Sequence, residues 1–262
     1  MSFVPTMHEM EALENHKSEF SLILKIANMA WSATNRFLLF VPLAVLIYIF
    51  LLLLLNSARG FDITDESFYV ISASQPENIL VSTTQFGYYT GLLYLLSGKN
   101  ITVFRIFGVL LLFGAAWFFA FSLDSYSKST SGQVLKARKR WKEITFISIG
   151  CLAYYKSWLI TPSYNWLALL SVLIAGSGLL RATTEKNHNR VLSRSPRYIL
   201  ADGVIVGLGG GFAFMAKPTS ALVLAVTALF WIGVHSLRFK LKLFFLIALC
   251  TSCLFLLMHA IV

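Results

Sequence analysis

Long apolar runs separated by short polar stretches set the pattern of this chain. Residues 37–55 carry no charge, and as an α-helix they would extend about 28 Å, enough to cross the hydrocarbon of a bilayer. Comparable runs at 102–123, 143–160, 164–180, 199–216, 219–236 and 243–262 bring the expected spans to seven. One run is different. Residues 86–97 would reach only about 18 Å as a helix, so this run is expected to lie in the interface. Pro76 ends any helix begun near Thr64, and Pro162 and Pro218 fall at breaks between runs. The fold class that follows is an all-α polytopic membrane bundle of about seven transmembrane helices, with interfacial helices in the first outer loop, 56–101.

Composition supports the membrane class: 57% of the 262 residues are hydrophobic, 13% are charged, and mean hydropathy is +0.71. The net charge of +10 would suit nucleic acid, but its distribution argues otherwise. Loops 124–142, 181–198 and 237–242 hold six, five and three of the 22 Lys and Arg residues. Short basic loops between apolar runs are the mark of the cytoplasmic side. The 56–101 loop has four acids (Asp62, Asp65, Glu66, Glu77) against Arg59 and Lys99. It is therefore expected on the outer face, with residues 1–36 as a cytoplasmic segment lying along the surface and the first span acting as an uncleaved signal anchor. Cys151, Cys250 and Cys253 sit in apolar runs and read as packing residues. Gly203, Gly207 and Gly211 recur every fourth residue, as at close helix contacts in membranes.

The candidate chemistry gathers in FDITDESFY, residues 61–69, where Asp62, Asp65 and Glu66 are spaced i, i+3, i+4. They would share a face if a helix began at or before Asp62. Capping and dipole compensation account for one or two such acids, and a third is surplus to that role. Arg105, Lys156, Lys217 and His259 fall toward the outer ends of different spans, with Lys156 about four residues inside its own. Charge at membrane depth is expensive unless paired or hydrated. Carboxylates above and cations at the boundary would suit a lipid phosphate at headgroup level; snorkelling of the basic side chains toward the interface is the plain alternative. No metal cluster or cofactor motif is evident.

Several stretches, taken in order, resemble the GT-C superfamily of polytopic glycosyltransferases. They are TDESFY after a first span, Tyr88 and Tyr89 in a short second run, Phe104 and Arg105 opening the next span, and GFAFMAKPTSALVL at 211–224. The nearest likeness is to the branch of protein O-mannosyltransferases and lipid A aminoarabinose transferases, over residues 37–236. The resemblance implies a core of about seven spans and a sugar taken from a polyprenyl-phosphate donor on the outer face of a bacterial inner membrane, with loop 56–101 periplasmic. It implies Asp65 as catalytic carboxylate with Glu66 its neighbour, and Arg105 and Lys217 for the donor phosphate. Asp62, by its spacing, joins the candidate catalytic acids, and Lys156, by its depth, joins the substrate-binding candidates with Tyr88 and Tyr89. Gln85 stands where the family has a basic residue or proline. A non-catalytic relative, serving as a lipid-binding scaffold or as subunit to a partner chain, is the alternative. A transporter fits less well, since the ionisable residues cluster near the faces rather than at mid-depth.

Overall fold

The computed structural model describes residues 25–26, 29, 34, 37, 40–60, 62–63, 65–79, 84–131, 137–156, 159–183, 196–234, 248–249 and 252–253. Among them every regular element is a helix. The chain divides into two compact units, residues 1–45 and 46–262. In the first, Lys25, Ile26, Met29, Thr34 and Phe37 are helical and exposed; the rest of the expected surface helix over 1–36 lies outside the described residues. So do Thr64, His259, Cys250, the loop 237–242 and nearly all of the run 243–262.

Eight α-helices are described: α1 (Phe40–Asn56), α2 (Asp65–Ser74), α3 (Gly87–Leu96), α4 (Ile101–Ser131), α5 (Ala137–Leu152), α6 (Tyr164–Thr183), α7 (Pro196–Ala216) and α8 (Pro218–Val234). Two of them are long and apolar enough to cross a membrane: the stretch Ile101–Thr130 of α4, at mean hydropathy 2.3, and α6, at 1.6. Phe40–Asn56, Leu200–Ala216 and α8 are apolar but shorter. The run at 86–97 forms the ten-residue α3, close to its expected bounds.

The boundaries follow local chemistry. Asn100 caps α4, its Oδ1 accepting the Val103 N–H at 3.2 Å. Just before it, Gly98 and Lys99 take left-handed φ of 65° and 59°. This reversal returns their N–H groups to Leu95 and Tyr94 and closes α3. Lys217 separates α7 from α8, and Pro218 opens α8 where its missing N–H costs nothing. The span expected over 143–160 is displaced. Its helix starts at Ala137, within a stretch of strong helix formers, and ends at Leu152 in a 3₁₀ turn, Ala153–Lys156. Lys156 is thus exposed at the end of that turn rather than four residues inside a helix.

The core joins α4, α5 and α6 through Val109, Leu112, Leu152, Trp166 and Leu167, to which α1 adds Leu46 and Leu53. Trp166 Nε1 donates to the Gly108 carbonyl at 3.1 Å, tying α6 to α4. Gly203, Gly207 and Gly211 are all buried, but the closest backbone contact is made at Gly209. A Cβ there would stand 2.8 Å from the Ala175 nitrogen of α6. Between α2 and α3 the approach is closer still: a Cβ at Gly87 would meet the Ser72 carbonyl oxygen at 2.2 Å. Only glycine permits that packing.

Candidate functional site

Arg105 lies one turn into α4, between buried Phe104 and Val109, and is 2% exposed; Glu66, in the first turn of α2, is fully buried. Arg105 Nη2 approaches Glu66 Oε1 at 2.8 Å and its Nε donates to the same oxygen at 3.1 Å. Nε also donates to Thr161 Oγ1 at 3.1 Å, and Thr161 in turn donates a short hydrogen bond to Glu66 Oε1. Nη1 donates to the carbonyls of Ser57 and Arg59 at 2.8 and 2.9 Å, and Nη2 to that of Gly60 at 3.4 Å. Glu66 Oε2 accepts the Asp62 N–H at 3.0 Å.

A buried ion pair offsets its desolvation only when the remaining donors and lone pairs are also matched. That condition is met here: every guanidinium nitrogen has a protein acceptor. The pair fastens α2, α4, the turn after α1 and the turn before α6 to one another. The guanidinium of Arg105, expected beside a donor phosphate, is engaged by these protein acceptors.

The three acids separate. Because α2 begins at Asp65, Asp62 lies outside the helix, and the shared face expected of Asp62, Asp65 and Glu66 does not form. Glu66 turns inward while Asp62 and Asp65 are exposed. Asp65 precedes Tyr69 by one turn and lies within electrostatic reach of its hydroxyl, as do Tyr164 and Tyr154. Burial chiefly, then these neighbours, push the Tyr69 hydroxyl up to about 12.

Tyr69, Phe86 and Tyr164 form an edge-to-face cluster with ring centroids 5.9–6.0 Å apart. Tyr154 Oη lies 3.3 Å from Ser163 Oγ, which also accepts the Trp166 N–H. Tyr88 and Tyr89 are half-buried, and the Tyr89 ring stands edge-on to Phe212 at 5.0 Å, joining α3 to α7. Lys217 is exposed, two residues beyond Met215, whose carbonyl accepts the Gln85 N–H at 2.9 Å. Lys156 is exposed beside Tyr154 and Tyr155.

The opposite end of the helices carries a second polar set. On α4, Asp124 is 19 residues beyond Arg105, about 28 Å along the axis. It pairs with Lys128 at 2.5 Å and Arg140 at 3.9 Å. Arg181 of α6 pairs with Asp202 of α7 at 2.8 Å and lies over the Phe118 ring at 5.6 Å. Among the described residues no group of three His, Cys, Asp or Glu could hold a metal ion.

Sequence reasoning singled out Glu66 and Arg105 without joining them, and missed Thr161, Tyr69, Tyr154 and Tyr164. The available signal was Thr161–Ser163, a polar break between apolar runs that reads simply as a turn. No family model, curated protein or solved structure matches this chain.

Proposed function

We propose that this chain is a polytopic membrane glycosyltransferase of GT-C type, moving a sugar from a polyprenyl-phosphate donor to an acceptor hydroxyl at the membrane face that carries α2 and α3. The observation that carries the reading is the division of labour in the Asp65–Glu66 pair. Glu66 is locked beneath the surface by Arg105, which leaves Asp65 exposed at the start of α2.

The membrane setting rests on the spacing of charge and on exposed apolar surface. The two polar sets are about 28 Å apart along α4, one hydrocarbon thickness, and the helix between them is uncharged. Apolar side chains on α8 are bare: Leu222, Val223 and Phe230 are 66, 66 and 72% exposed. The basic loops support an orientation with the Asp124 end toward the cytoplasm and the Asp65 end outside. The seven-span count adds to α4 and α6 the three shorter apolar helices, the run 143–160 that begins within α5, and the run 243–262.

In the reaction, Asp65 accepts the proton of the acceptor hydroxyl as its oxygen attacks the anomeric carbon. The bond from that carbon to the phosphate oxygen breaks, and the lipid phosphate leaves with the electron pair, so configuration inverts. Lys217 and Lys156 stabilise the departing charge. Replacing Asp65 with Asn should lower transfer from a labelled polyprenyl-phosphate sugar by about 10²–10⁴-fold while leaving the unfolding temperature unchanged. Unaltered transfer would remove Asp65 from this role. The second reading, a non-catalytic scaffold, is favoured by the engagement of Arg105 with protein acceptors; it predicts donor binding without turnover.

A further inference from the structure

Tyr69, one turn after Asp65 on α2, belongs to a cluster of tyrosines. We propose that Tyr69, Tyr154 and Tyr164, together with Ser163, form a subsite for the polyhydroxylated ring of the donor. This rests on the glycosyltransferase reading and adds the residues that would distinguish a sugar-bearing lipid from a bare one.

Three observations converge on it. Tyr69 follows Asp65 by one helical turn, so the two side chains share a face of α2. The rings of Tyr69 and Tyr164 meet edge to face at 6.0 Å. On the other side of the turn before α6, Tyr154 reaches Ser163 at 3.3 Å and packs on Tyr155 at 5.1 Å. Three phenols and a serine hydroxyl therefore gather between α2 and the turn before α6, with the exposed Asp65 one helical turn before Tyr69.

Phenylalanine would fill the same space without burying a hydroxyl, so packing alone does not call for tyrosine at three positions. A phenol both donates and accepts, and can exchange a neighbouring hydroxyl for one on a ligand. Aromatic edges offer apolar contact to the C–H faces of a sugar ring, while the hydroxyls read its polar rim. A site built to hydrogen-bond ligand hydroxyls discriminates strongly against a ligand lacking them.

The test compares lipids by binding alone. The full chain in lipid nanodiscs is titrated with polyprenyl phosphate and with polyprenyl-phosphate mannose, glucose and an aminopentose. The wild type should bind at least one sugar-bearing lipid about tenfold or more tighter than the bare phosphate. Tyr154→Phe and Tyr164→Phe should each reduce that ratio to near one without altering affinity for the bare phosphate, which also reports that the variant is folded. If either variant loses the bare lipid, Ser163→Ala, which removes the partner of Tyr154, should give the same collapse of the ratio. A ratio preserved in the variants overturns the subsite. So does a wild type that prefers no sugar-bearing lipid, even if Asp65-dependent transfer persists. Binding of none of these lipids overturns the donor reading, and the subsite with it.

Discussion

The two ends of α4 treat charge in opposite ways. At the Arg105 end both partners are buried and come from segments 39 positions apart, and the guanidinium adds Thr161 and the carbonyls of Ser57, Arg59 and Gly60. At the Asp124 end the acids are buried, but Lys128, Arg140 and Arg181 are 30, 37 and 31% exposed. Lys128 is four residues from Asp124 on the same helix, and Arg140 and Arg181 each close a helical hairpin. The first arrangement fixes the tertiary structure of a site. The second fastens neighbouring helices while leaving the cations in contact with solvent, which screens them.

The contrast can be broken most sharply by Arg105→Ala. It leaves Glu66 buried without a counter-charge and three carbonyls without a donor, so stability should fall by about 3–5 kcal/mol, read as a lowered midpoint of thermal unfolding in detergent. A loss no larger than that of a surface variant would erase the distinction between the ends. A smaller effect is expected from pH. Because Tyr69 holds its proton more tightly when folded, its contribution is complete below pH 10 and is lost as pH rises from 10 toward 12. The loss approaches about 2–3 kcal/mol at the top of that window, and Tyr69→Phe should flatten that part of the stability profile. The smallest effect belongs to Arg140→Ala, at 3.9 Å from Asp124 and part-exposed, which should change stability by under about 1 kcal/mol.

What was legible in the sequence follows from the range of the forces involved. Apolar runs and prolines are local signals, and they located α1, α3, α6, α7, α8 and the start of α4 closely, whereas α4 runs on to Ser131, past its expected end at 123. The start of α5 was missed because basic residues 138–142 read as loop by charge, yet their helix propensity carries the helix through them. The three acids were legible as a group but not as individuals. Which of them turns inward depends on α2 starting at Asp65 and on Arg105 arriving from another helix. Thr161 and the tyrosine cluster were beyond reach for the same reason: their partners are set by how α2, α5 and α6 assemble, which no spacing along the chain encodes.

The Gln85 N–H meets the Met215 carbonyl and so moors the segment before α3 to the end of α7. What position 85 lends there is an amide hydrogen, which every amino acid but proline supplies. Its side chain is therefore free to vary over generations without loosening that mooring, and proline alone would cut it.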